Sequence, residues 1–246
     1  MQTLTLKHIL ALLLIASATL SCQKGDDAPG KPGTAAQGEV SYFAKALGTG
    51  TKATAIKSAQ VLTDSMVAVN WSSASIWVEK ISFVGMSNKM LDTTIIVGKN
   101  MNIFDSDALA GVFKLPSGSY TNVKVKLLLR KSPKSELAFY LKGTFENSRA
   151  GRDTVVVASS LPFEANIAVN DFNIQPQDNY KVVFNFNLDR VLAGIKTRAL
   201  EHAVSYNGSS DRKTYYIWKG GSDDVPFYQQ VSQNWQTVAS VVVLKQ

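Results

Sequence analysis

Two short stretches constrain the fold of this chain more than any other feature of its 246 residues. "VKVKLLL" (123–129) places Val123, Val125, Leu127 and Leu129 on one side of an extended backbone and Lys124 and Lys126 on the other. "YKVVFNFNL" (180–188) does the same, setting Tyr180, Val182, Phe184, Phe186 and Leu188 against Asn185 and Asn187. A two-residue period marks a strand with one face buried and one face wet. Such strands need a second layer over the apolar face, so the pattern points to two packed sheets.

"SIWVEKISF" (75–83) is also extended but changes phase, with Ile76 and Val78 followed by Ile81 and Phe83. A β-bulge across Glu79 and Lys80 produces that shift. Further strands are predicted at 93–97, 137–145, 154–158, 163–169 and 237–244. The stretches "LPSGSY" (115–120) and "ENSRAGRD" (146–153) read as turns, the second closing a hairpin. Helical spacing is confined to 41–47, 105–111 and 189–197. About eight antiparallel strands with few short helices predict an all-β fold, an antiparallel β-sandwich forming a single domain over 41–246. No repeat of 20–50 residues is present, which excludes a propeller or solenoid.

The N-terminal region reads differently. Lys7 precedes "ILALLLIASATL", the charged start and short apolar core of a secretory signal peptide over 1–21. That run is shorter than the roughly 20 apolar residues a membrane span needs. "ASA" (16–18) is one cleavage site; the other lies directly before Cys22, the only cysteine in the chain. "TLSC" (19–22) resembles the lipobox of bacterial lipoproteins, with Leu20 at −2 and Ser21 at −1. The resemblance implies acylation of Cys22 (palmitate or a similar chain) and anchorage in the outer membrane. "CQKGDD" resembles the export signal of surface-exposed lipoproteins, which gives Lys24, Asp26 and Asp27 the role of an address. Residues 22–40, rich in Gly, Pro and Ala, read as the acylated cysteine and a flexible linker.

The succession "VLTDS" (61–65), "SASIWVEKISFVG" (73–85), "ALAGVFKLPSGSYTNVKVKL" (108–127) and "YKVVFNFNLDRVL" (180–192) is similar to uncharacterised bacterial surface lipoproteins with a transthyretin/immunoglobulin-like β-sandwich. Fimbrillin-like proteins share the plan of lipid leader, tether and sandwich. These resemblances imply a fold and a location and carry over no catalytic residues.

The residues themselves offer little for catalysis. Beyond the leader the only histidine is His202, and there is no G-x-S-x-G elbow. One cysteine excludes disulfides and thiolate metal sites, and "DSD" (105–107) and "SDD" (222–224) lack the spacing of a calcium loop. The formal charge of +7 is scattered, and Lys124, Lys126, Arg130, Lys131 and Lys134 read as a solvated sheet face rather than a nucleic-acid site. No enzymatic activity, cofactor, metal or nucleic-acid partner is expected.

What remains is 205–236, which concentrates Tyr206, Tyr215, Tyr216, Trp218, Phe227, Tyr228 and Trp235 among Gly, Ser and Asp. One reading makes "TYYIW" (214–218) a strand whose aromatics simply face the core. The other is a binding rim of Tyr216, Trp218, Asp223, Asp224 and Tyr228 for a glycan or protein partner. The triplets "DSM", "DTT" and "DTV" resemble a bacterial O-glycosylation sequon, implying Ser65, Thr93 and Thr154 as acceptors. The expected role is a binding, adhesion or structural module at the cell surface. The alternatives are a fimbrial-type subunit assembling by strand exchange and a glycan-processing enzyme. The first arginine of the chain, Arg130, lies deep in the domain, which disfavours the activation by cleavage after an N-terminal arginine that fimbrillin-like proteins use.

Overall fold

The structure, a computed structural model, describes residues 37–47, 65–87, 90–105, 108–130, 137–209, 212–219 and 224–246. Cys22, Lys24, Asp26, Asp27 and Asp223 lie outside the described residues. All the described residues belong to one compact unit, Ala35–Gln246.

Thirteen strands are described: β1 (Gln37–Leu47), β2 (Val69–Met86), β3 (Met90–Asn102), β4 (Ala108–Pro116), β5 (Gly118–Leu129), β6 (Phe139–Glu146), β7 (Arg152–Ser159), β8 (Phe163–Ala168), β9 (Phe172–Ile174), β10 (Asn179–Asn187), β11 (Tyr206–Ser209), β12 (Arg212–Lys219) and β13 (Ala239–Lys245). Two short helices, α1 (Thr197–Ala203) and α2 (Tyr228–Val238), interrupt them. A four-stranded sheet has the order β13-β10-β1-β4. A nine-stranded sheet runs β11-β12-β7-β6-β2-β5-β8, with β3 on β2 and β9 on β5. The chain is thus an open, all-β, sandwich-like fold. No helix among the described residues is long and apolar enough to cross a membrane.

The alternating stretches behave as their period requires. Val123, Val125, Leu127 and Leu129 are buried, as are Tyr180, Val182, Phe184, Phe186 and Leu188, while Lys124 and Lys126 are exposed. The bulge falls where the phase changes: the register of β2 against both β3 and β5 slips between Val78 and Lys80. Glu79, displaced by it, ion-pairs with Arg130 at 2.7 Å. At Ile76 the two partners are Phe139 and Met101, and at Val78 they are Leu129 and Lys99. Hence β5 and β6 lie end to end along one side of β2, and β3 is the one described strand on the other.

Several expectations need correction. Residues 41–47 are strand, not helix: Val40, Tyr42 and Ala44 alternate into the core, and β1 begins at Gln37, inside the expected linker. Residues 108–111 open β4 rather than a helix, because pairing with β1 outweighs the helix propensity of Ala and Leu. Of 189–197, only the end enters a helix; a 3-10 turn (Leu188–Arg190) and hydrogen-bonded turns over 191–194 precede it. The sheets are not purely antiparallel, since β1–β10 and β7–β12 are parallel pairs. Each joins strands far apart in the chain, where a long connection can reverse direction. The last strand begins at Ala239, after α2, whose Val231, Trp235 and Val238 form a buried stripe at helical spacing.

Candidate functional site

β12 settles the ambiguity of "TYYIW". Tyr215 and Ile217 are buried in the core, so Tyr216 and Trp218 stand on the outer face of the large sheet, 39% and 45% exposed. Paired residues share a face, so the register maps their surroundings. Trp218 pairs with Ala158, Ala158 with Tyr140, and Tyr140 with Ser75. The next row is Tyr216, Val156, Lys142 and Ser73; the one beyond is Thr214, Thr154, Thr144 and Asn70. Trp77, half-buried, shares this face two residues along β2 from Ser75. Val156 and Ala158 are 6% and 1% exposed yet stand apart from the core cluster. Their cross-strand neighbours on this face are Tyr216 and Lys142 for Val156, and Trp218 and Tyr140 for Ala158. With strands about 4.8 Å apart, the Trp218 and Tyr140 backbones are separated by about 10 Å. The face is therefore a flat apolar ledge with aromatic rings on both margins, one lysine, and a border of hydroxyls and amides.

A polar lock holds β12 in place. Asp153, on β7, is buried; its Oδ1 accepts from the Lys213 backbone N–H at 2.9 Å and its Oδ2 from the Asn147 amide at 2.9 Å. The Asn147 Oδ1 accepts from the backbone N–H groups of Arg149 and Gly151, closing the β6–β7 hairpin at 3.0 and 2.8 Å. Glu201 of α1 clasps the same turn through Ser148 N–H and Oγ, at 2.6 and 2.5 Å. Beneath the ledge Tyr215 packs between Phe145 and Tyr206, with ring centroids 5.7 and 5.5 Å away. Burial, and then the negative charges of Asp153 and Glu201, push its hydroxyl pKa up to about 12.

Of the four expected rim residues that are described, Tyr216 and Trp218 share the outer face of β12. Asp224 is exposed in the segment leading to α2. Tyr228 is half-buried and off the ledge: its hydroxyl bonds Ser159 Oγ at 2.7 Å, and Ser159 pairs with core-facing Phe139. Trp235 is core, ringed by Phe139, Phe163 and Phe186. Tyr140, Lys142 and Trp77 were not anticipated. The alternation of "FYLKGT" (139–144) exposes the side of β6 that carries Tyr140 and Lys142, but the register that sets it near Trp218, with Trp77 on β2 beyond, is a tertiary fact. Among the expected acceptors, Ser65 is exposed, Thr154 lies half-buried on the ledge, and Thr93 is half-buried opposite core-facing Phe83.

Elsewhere the molecule offers less. His202 is exposed on α1, and no group of three metal-binding side chains gathers among the described residues. The apolar cleft between the sheets at Val40, Phe83, Phe113 and Tyr180 leaves about 10 Å³ free, room for one water at most. Comparison with protein-family models, with curated proteins and with solved structures returned no match to this chain.

Proposed function

We propose that the chain is a surface-exposed lipoprotein, anchored in the outer membrane through Cys22, whose β-sandwich binds glycan chains and performs no reaction on them. One observation carries the binding role: Tyr216 and Trp218 project side by side from the outer face of the large sheet while their neighbours Tyr215 and Ile217 fill the core. Sugar rings present apolar C–H faces and hydroxyl edges. A flat ledge of Trp218, Tyr216 and Tyr140 suits the former, and Lys142, Thr144, Thr214 and Asn70 suit the latter. The anchor rests on the position of the lone cysteine at the end of the apolar leader.

The test is retention of the full chain in gels containing neutral or uronic-acid polysaccharides. Trp218→Ala or Tyr216→Ala is expected to weaken retention about tenfold, the loss of one aromatic contact. Each ring flanks a buried residue, Val156 or Ala158, so each change should lower the melting temperature modestly, and retention is compared where thermal melts show every variant folded. Undiminished retention by the double variant refutes the assignment of the ledge.

A strand-exchanging subunit is the second reading, favoured by the place of β1. This first described strand sits between β10 and β4, so its removal would leave an empty groove for a donor strand. SDS-resistant ladders appearing only after limited proteolysis at Lys45, Lys52 or Lys57 would support it over the glycan reading.

A further inference from the structure

The edge of the large sheet at β3 is built unlike the rest of the molecule. β3 pairs with β2 alone among the described strands, so over Leu91–Val97 the other side of its backbone has no described strand partner. Its core-facing residues Leu91, Thr93, Ile95 and Val97 are only half-buried, whereas the core-facing positions of its neighbour β2 are fully buried. Met90 and Ile96, at 70% and 73%, are the two most exposed large apolar side chains among the described residues. Five consecutive β-branched residues, Thr93–Val97, carry no charge, proline or glycine. Natural sheets guard such edges with Lys, Pro or bulges; here the irregularity comes only at Gly98, where φ is +56°. Over Leu91–Val97 this is a regular edge whose inner row is half-covered and which has no neighbour among the described strands.

We propose that this neighbour is the β3 strand of a second copy, paired antiparallel about a two-fold axis at Thr94. The sequence is self-complementary in that register. On the inner face Leu91 meets the partner's Val97, and Thr93 meets the partner's Ile95, so every half-buried residue gains an apolar or β-branched cross-strand contact. On the outer face Thr94 meets its own copy and Asp92 meets Ile96. The two Asp92 carboxylates then sit about 13 Å apart along the ladder and do not repel strongly. A parallel arrangement would instead set Asp92 beside Asp92. The paired run, Leu91–Val97, stops short of Gly98 and spans about 23 Å. Such an interface is at the small end of specific contacts, so the dimer dissociates in the range of about 10–100 µM. The pairing makes one continuous sheet from two large sheets and places both ledges on one assembly, which raises avidity for a repetitive ligand.

The experiment uses the full chain carrying Cys22→Ala, so that acyl chains cannot drive association, in sedimentation equilibrium from about 1 to 500 µM. The weight-average mass is expected to rise from one copy to two. Thr94→Lys and Thr94→Glu each place like charges directly opposite across the axis and should weaken the dimer at least tenfold. Thr94 is exposed, so neither change is expected to unfold the domain, and unchanged thermal melts verify that. Mixing the two variants in equal amounts should restore a dimer as tight as the original or tighter. A monomer at every concentration overturns the proposal. So does a dimer that neither substitution weakens, or two weakened variants that fail to rescue one another.

Discussion

Replacing Asp153 tests whether a single buried carboxylate fixes both the hairpin tip and the strand that carries the ledge. It accepts from the Lys213 N–H and the Asn147 amide, both at 2.9 Å. Asp153→Ala leaves those two half-buried donors without an acceptor, each at a cost of about 1–3 kcal/mol. Partial access to water at the tip places the sum near 2–4 kcal/mol. With a urea slope of roughly 2 kcal/mol/M, the midpoint should fall by about 1–2 M. Asp153→Asn keeps an acceptor for Lys213 but turns an NH₂ toward the NH₂ of Asn147. Asn147 cannot flip to relieve this, because its oxygen already holds the N–H groups of Arg149 and Gly151. A loss of about 1–3 kcal/mol follows. The exchange Asn147→Asp with Asp153→Asn restores every donor to an acceptor and should recover most of the stability. Equilibrium urea unfolding by circular dichroism reads all four proteins. A single Asp153→Asn variant within about 0.5 kcal/mol of the parent, or an exchange variant no better than it, refutes the lock.

Three other outcomes follow from the same structure. The raised Tyr215 pKa means that the folded chain holds its phenolic proton to about pH 12, whereas an unfolded chain releases it near pH 10. The stabilisation is therefore complete below pH 10 and lost as the pH climbs toward 12, and Tyr215→Phe should flatten that limb of the urea-midpoint profile. Gly111 lies against the buried ring and hydroxyl of Tyr42 with no room for a methyl group, so Gly111→Ala should cost about 1–3 kcal/mol in thermal denaturation. For the anchor, Cys22→Ala is expected to release the protein from the membrane fraction. Changing Lys24, Asp26 and Asp27 together should leave it anchored but protected from added protease; a Cys22→Ala protein still in the membrane fraction means that cleavage occurs at "ASA".

The strands most legible in the sequence were those with a clean two-residue period and a wet opposite face, and the bulge at Glu79 was legible as a break in that period. Residues 41–47 were not, because "SYFAKAL" mixes alternation with helix formers and only the neighbours β10 and β4 decide between them. α2 went unseen behind the aromatic density of 205–236, although Val231, Trp235 and Val238 carry its period. The ledge was half legible. Alternation within "TYYIW" defines two faces but cannot say which is inside, and nothing local to Tyr140 places it two strands from Trp218. The sequon triplet at Asp153 has a structural use that the motif alone conceals: its acid is an internal acceptor.

The position of β10 sets the order in which this molecule can come into being. Its two neighbours are β1 and β13, so Tyr42 and Val243 both pair with Val182, and the smaller sheet joins the first described strand to the last. No N-terminal fragment can complete that layer, and loop closure over such separations is slow. Until Ala239–Lys245 has been made, β10 has one bare side and the large sheet lacks part of its cover. A chain wired in this way cannot close its smaller sheet until its last described strand has been synthesised.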